Sequence, residues 1–124
     1  IDKNWDIEIL EMHHRNKIDA PSGTALALGK TASHARKENF DKVSKLSREG
    51  KVGERKNDEI GFATLRGGSV VGDHTIILAH DDERIELTHK ASNRKIYANG
   101  AVKAAIWCST QKKGLFSMTE VLGL

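Results

Sequence analysis

The chain has 124 residues, 38% of them hydrophobic and 30% charged, with 20 Lys and Arg against 17 Asp and Glu for a net charge of +3. That length fits one domain that buries about two-thirds of the surface its unfolded form exposes. A single cysteine, Cys108, excludes an internal disulfide framework and is compatible with a reducing compartment, and no apolar run is long enough for a membrane span.

Residues 5–14, WDIEILEMHH, alternate: Trp5, Ile7 and Ile9 share one face, Asp6 and Glu8 the other. This predicts a half-buried strand whose apolar face continues through Glu11 and His13, with His14 on the opposite side. Residues 15–20, RNKIDA, read as loop. A helix is expected to start near Pro21 or Ser22, because proline suits a first helical turn and Ser22 or Thr24 can cap it. TALALGKTASHARKE continues it, with Leu28, Ala32 and Ala35 on one stripe. Residues 36–59 lack strong periodicity and read as a helix tail and a mobile loop, with turns at Gly50 and Gly53. IGFATLR is the next strand, broken at Gly67 and Gly68, and HTIILAH and RIELTHKA flank HDDE as a hairpin. YANGAVKAAIWCSTQKK reads as a helix stopped at Gly114, and GLFSMTEVLGL follows, apolar and little charged. The start, IDKNWDIEIL, has no initiator Met, basic region or apolar core of a signal peptide, and is expected to be that of a fragment.

Several motifs fail. GTALALGKT (23–31) has one residue too many for a phosphate loop and is built of helix formers. GGSVVG (67–72) lacks the dinucleotide spacing, and no helical pattern follows it. No metal site is expected, because His13 and His14 point to opposite faces of a strand and the other histidines are scattered. Cys108 is expected to be a small packing residue. His74, His80 and His89 receive no role, as surface or hairpin positions. Acids interleave with bases, as in RKENFDKVSKLSREGKVGERKNDE (36–59), and there are only six aromatic residues, so no nucleic-acid partner is expected.

EMHHRNKIDAPSGTAL (11–26) is different. A helix N-terminus presents unpaired N–H groups and the positive end of its dipole, a ready place for a carboxylate or phosphate. Gly23 lets an anion approach the backbone, and Ser22 and Thr24 add hydroxyls. His13, His14 and Lys17, just upstream, can supply charge and protons near neutrality. Local physics leaves two readings open: a site that protonates a small anionic substrate, or a polar turn with ordinary cap chemistry.

The same residues resemble the signature of the dihydrodipicolinate reductase family, E-x-H-H-x-x-K-x-D-A-P-S-G-T-A, met by Glu11, His13, His14, Lys17, Asp19, Ala20, Pro21, Ser22, Gly23, Thr24 and Ala25. The likeness continues through GFATLRGGSVVGDHT, ELTHKASNR, YANGAVKAAIW and GLFSMTEVL, essentially the whole chain. The resemblance implies an NADH- or NADPH-dependent enzyme of lysine and diaminopimelate synthesis, cytoplasmic, that reduces a cyclic dicarboxylate imine to tetrahydrodipicolinate. It implies His13 as catalytic acid/base, Lys17 as companion proton donor and His14 as a substrate contact. Ser22, Gly23 and Thr24 would cradle one substrate carboxylate. Arg94 would lie near the substrate, with a solvated loop arginine as the alternative. The fold implied for residues 1–94 is an α/β (α+β) unit, a mixed, mostly antiparallel sheet with helices on one side, whose sheets pair across subunits in a homotetramer. Residues 95–124 would pack on a nucleotide-binding Rossmann domain absent from this chain; alone, that tail is expected to be mobile or held in a non-native contact. No cofactor is expected to bind here, and the isolated chain should bind dicarboxylates weakly or not at all and should not turn over. The alternative is a non-catalytic self-association domain.

Overall fold

The computed structural model describes residues 2–124. They divide into two compact units, residues 2–92 and Asn93–Leu124. The first contains β1 (Asp6–His13), α1 (Gly23–Ala35), α2 (Phe40–Val43), β2 (Ser44–Lys45), β3 (Ile60–Arg66), β4 (Gly72–Ala79) and β5 (Arg84–Ala91). The strands form one sheet in the order β2-β3-β1-β4-β5. β1 runs parallel to β3, and β3 to β2, whereas β4 is antiparallel to both β1 and β5. The sheet is therefore mixed, as expected, and its antiparallel ladders are together the longer.

A strand sends successive side chains to opposite faces, and β1 does so along its whole length. Ile7, Ile9, Glu11 and His13 are buried; Asp6, Glu8, Leu10 and Met12, between them, are only partly so. The register carries this pattern sideways. Ile7 sits beside Ile60 and Leu78, Ile9 beside Phe62 and Ile76, and Glu11 beside Thr64 and His74. α1 packs on this face, with Ala25, Gly29 and Ser33 buried and Leu26, Leu28 and Ala32 against Ile7, Ile9, Val43, Ile60 and Phe62. Each fully buried Ile or Phe contributes about 1.5–3 kcal/mol.

Small residues on α1 let it approach closely. A Cβ added at Gly29 would stand 2.5 Å from Cζ of Phe62 and 3.0 Å from Cε2 of Phe40, two rings already packed edge to face. Gly29→Ala gains about 1 kcal/mol of helix propensity but overpacks this contact, which costs about 1–3 kcal/mol. The expected result is a net loss of about 1 kcal/mol in urea denaturation. A raised midpoint would mean that Phe62 swings away freely and only the helix-propensity gain remains.

The expected helix tail ends sooner than the pattern suggests. Lys37 takes a left-handed conformation, φ 58°, and the N–H groups of Lys37 and Glu38 return to the carbonyls of His34 and Ser33. This closes α1 at Ala35. The stretch read as loop also holds α2 and β2, which are too short to show a period. The loop after β2 is tied to β1 on the face away from α1. Arg48 grips both carboxylate oxygens of Glu8 at 2.8 Å, and Arg55 reaches Glu8 at 3.1 Å, Asp6 at 2.6 Å and the Ile7 carbonyl at 3.1 Å. Burial would raise the Glu8 carboxyl, but these arginines outweigh it and hold it below the usual carboxylate range. A Cβ at position 61 would meet the Glu8 carboxylate and push it out of its arginine contacts.

The second unit holds α3 (Lys95–Ser109) and α4 (Met118–Leu122). α3 starts before Tyr97 and stops short of Gly114, with Thr110 as its C-cap. α4, unread in the sequence, is fixed by a capping box between Ser117 and Glu120 and by Gly123 at φ 73°. Trp107 and Phe116 meet edge-on at 5.0 Å, yet α3 has no buried residue. Cys108, expected to be a packing residue, is exposed. It shares that exposure with the rest of α3, which buries no residue within this chain.

Candidate active site

β1, β3, β4 and the entry to α1 converge at the C-terminal end of β1. Glu11 is at their centre, 1% exposed. Its two oxygens are filled with donors. Arg66 binds both, Nη1 to Oε2 at 2.7 Å and Nη2 to Oε1 at 2.9 Å. The Ser22 N–H reaches Oε1 at 3.0 Å, and Nδ1 of His13 stands 2.6 Å from Oε2. Burial would raise the Glu11 carboxyl, but the hydrogen bonds from Arg66, His13 and Ser22 outweigh it and keep it below the usual range. Arg66 also donates to the Asp19 carbonyl at 2.7 Å, so one guanidinium joins β1, β3 and the loop before α1.

The loop reaches α1 through Ala20 and Pro21, joined by a cis peptide bond. Ser22 is the N-cap. Its hydroxyl accepts from the Ala25 N–H at 3.2 Å and lies 2.9 Å from Nε2 of His74. Gly23 and Thr24 open the helix, exposed, and no acidic residue occupies its first turn. Their N–H groups have no hydrogen-bond partner among the described residues. An anion can therefore meet backbone donors there without like-charge repulsion.

His13 and Ser22 share the carboxylate of Glu11, and Gly23 and Thr24 continue from Ser22. His14 and Lys17 lie on the turn after β1, where the Lys17 N–H returns to the His14 carbonyl at 3.1 Å. Lys17 pairs with Asp19 at 2.7 Å and is otherwise outside the Glu11 network. That lysine is the chief cause holding the Asp19 carboxyl below its ordinary value. Arg94 belongs to the other unit, is exposed, and precedes α3 with no capping bond from its side chain.

His74 corrects the reading of the sequence. Expected on a surface or hairpin, it is 8% exposed, because it alternates with Ile76 and Leu78 on the face of β4 that α1 covers. Its ring meets that of His13 edge-on at 5.0 Å. Burial, and then the neighbouring His13, push its pKa down. Arg66 and Glu11 were also given no role from the sequence. The alternation that buries Glu11 was a usable signal, since a buried carboxylate demands a partner. Among the described residues no three His, Cys, Asp or Glu side chains gather as a metal set. The segment 67–72 turns from one strand into another, so it does not build the strand-to-helix turn that holds a dinucleotide.

The model of the family "Dihydrodipicolinate reductase, C-terminus" matches residues 1–122. The 4-hydroxy-tetrahydrodipicolinate reductase of Agrobacterium fabrum is 55% identical over 122 residues, 98% of this chain and 44% of that protein. The enzyme of the same name from Rhodopseudomonas palustris is 59% identical over 121 residues, 98% of this chain and 45% of that one. The solved structure of a dipicolinate-bound dihydrodipicolinate reductase from Paenisporosarcina sp. TG-14 superposes with a TM-score of 0.59 at 25% identity, covering 78% of this chain and 37% of that one. The chain thus spans under half the length of the relatives it matches. With a mixed sheet, a helix entry and a family model that agree along the chain, it belongs to the dihydrodipicolinate reductase family, of which it carries the C-terminal part.

Proposed function

We propose that this chain is the substrate-binding and proton-donating part of a reductase that converts a cyclic dicarboxylate imine to tetrahydrodipicolinate with NADH or NADPH. The observation that carries this is the family match over residues 1–122, with an anion-receptive helix entry beside His13. In this reading one substrate carboxylate sits on the N–H groups of Gly23 and Thr24, at the Ser22 cap. His14 adds a contact from the turn. His13 delivers the proton that follows hydride to the ring, Lys17 is the second donor, and Arg94 approaches a carboxylate. The nicotinamide supplies hydride and is held by a part of the protein outside this chain. Residues 95–124 pack on that part; Ile96, Val102, Ile106 and Phe116, all exposed here, suit such a contact. Self-association to a homotetramer uses the face of the sheet away from α1, where Leu10, Met12 and Leu65 lie. The compartment is the cytoplasm.

The test is titration of the full-length protein with pyridine-2,6-dicarboxylate, a planar dianion, together with an assay for imine-dependent oxidation of NADH or NADPH. Saturable binding is expected, and His14→Ala and Thr24→Ala, which remove a ring contact and the hydroxyl that joins the backbone cradle, should each weaken it at least about tenfold, one lost hydrogen bond to a charged group being worth about 1.5–3 kcal/mol. A folded, nucleotide-loaded protein that oxidises neither cofactor with the imine would end the reading. A non-catalytic self-association domain would assemble yet show no such binding.

A further inference from the structure

We propose that Glu11 is a positioning residue for His13: its carboxylate fixes a proton on Nδ1 and leaves Nε2 as the nitrogen that exchanges a proton with the substrate. The chemistry of the Glu11 carboxylate decides where the proton sits. Ionised, it only accepts hydrogen bonds. At 2.6 Å from Oε2, Nδ1 of His13 must therefore carry the hydrogen. The carboxylate has no freedom to turn away. Arg66 holds both of its oxygens, the Ser22 N–H holds Oε1, and Thr64 Oγ1 lies 3.4 Å from Oε1. Nε2 of His13 has no hydrogen-bond partner among the described residues and is not a buried unpartnered atom, so it reaches solvent.

The second histidine fits the same assignment. The Ser22 hydroxyl accepts from the Ala25 N–H, which frees its own hydrogen for Nε2 of His74 at 2.9 Å. A hydroxyl that donates there leaves His74 with its proton on Nδ1 and uncharged, the charge state that burial favours. Of two rings 5.0 Å apart, only His13 has a carboxylate to balance a positive charge. Proton transfer at Nε2 proceeds without disturbing Nδ1: the imidazolium gives up its Nε2 proton to the reduced ring, and the neutral ring that remains keeps its hydrogen bond to Glu11. The tautomer rests on geometry alone; its use in transfer rests on the reductase reading.

The experiment is long-range proton–nitrogen correlation on the full-length protein labelled with nitrogen-15 histidine, in alkaline buffer, with the His13 resonances assigned by His13→Asn. The wild type should show His13 protonated at Nδ1. In Glu11→Gln, placing the amide NH2 at the Oε1 site would face two donors, Ser22 N–H and Arg66. Placed at the Oε2 site it faces one, and can donate to His13. His13 should then switch to the Nε2-protonated tautomer, and kcat should fall at least about 10²-fold while KM changes little. A wild-type His13 protonated at Nε2 would overturn the proposal, and decides it alone should the variant fail to fold. A folded Glu11→Gln protein with unaltered kcat would overturn it too. If the tautomer is as assigned but the wild-type protein reduces no imine, the positioning stands and the reductase reading falls.

Discussion

His13→Ala in the full-length protein is expected to lower kcat by about 10²–10⁴-fold, the usual worth of a positioned proton donor, while pyridine-2,6-dicarboxylate still binds. The separation follows from the site's layout. The carboxylate cradle lies on backbone N–H groups at the start of α1, which the substitution leaves in place. The donor comes from the end of β1. Lys17→Ala should lose less if His13 is the principal donor, because Lys17 belongs to a separate pair with Asp19. Steady-state kinetics on both single variants and the double variant check this. Equal losses in all three would mean that the two residues act as one unit. A loss of binding instead of turnover would make His13 a substrate anchor.

Glu11→Ala is expected to destabilise the protein by about 3–5 kcal/mol, as breaking a buried ion pair does. The value should fall towards the lower end, since Arg66 is 20% exposed and water can partly replace its partner. Ser22 and His13 also lose an acceptor. The loss should depend on pH with a definite sign. The Glu11 carboxyl is depressed on folding, so its contribution is present above the ordinary value of 4.5 and disappears as pH falls through the lower folded value. His74 is depressed as well. The unfolded chain therefore takes up its proton first, and stability declines once pH drops below the ordinary 6.5. Wild-type protein should weaken on acidification in two stages, first from His74 and then from Glu11 together with the likewise depressed Glu8 and Asp19. Glu11→Ala should keep the first stage and show a smaller second. Urea midpoints measured across pH decide it; a variant with an unchanged acid profile would show that other carboxylates carry the second stage.

The alternation of β1 announced both the strand and the burial of Glu11 and His13, because period two is a strong signal over eight residues. The cap at Ser22 was legible for a similar reason: it is local chemistry. His74 was not, because its burial depends on which face of β4 meets α1. That is settled by pairing with a strand far away in sequence. Arg66 was hidden for the same cause, since its partner Glu11 becomes a neighbour only through the parallel pairing of β1 with β3. The end of α1 is not legible in the sequence, because nothing in the identity of Lys37 announces a left-handed residue.

That parallel pairing also shapes how the chain must be born. β1 leaves the ribosome well before the strands it pairs with, because its neighbours Ile60 to Arg66 and Gly72 to Ala79 are made only much later. β4 and β5, by contrast, are joined by a tight turn and can pair as soon as both emerge. The central strand of the finished sheet is thus the one that waits longest with both edges bare. An apolar strand in that condition invites pairing with other nascent chains. The charges at Asp6 and Glu8 alternate with Ile7 and Ile9, and so act as gatekeepers until Arg48 and Arg55 arrive to neutralise them.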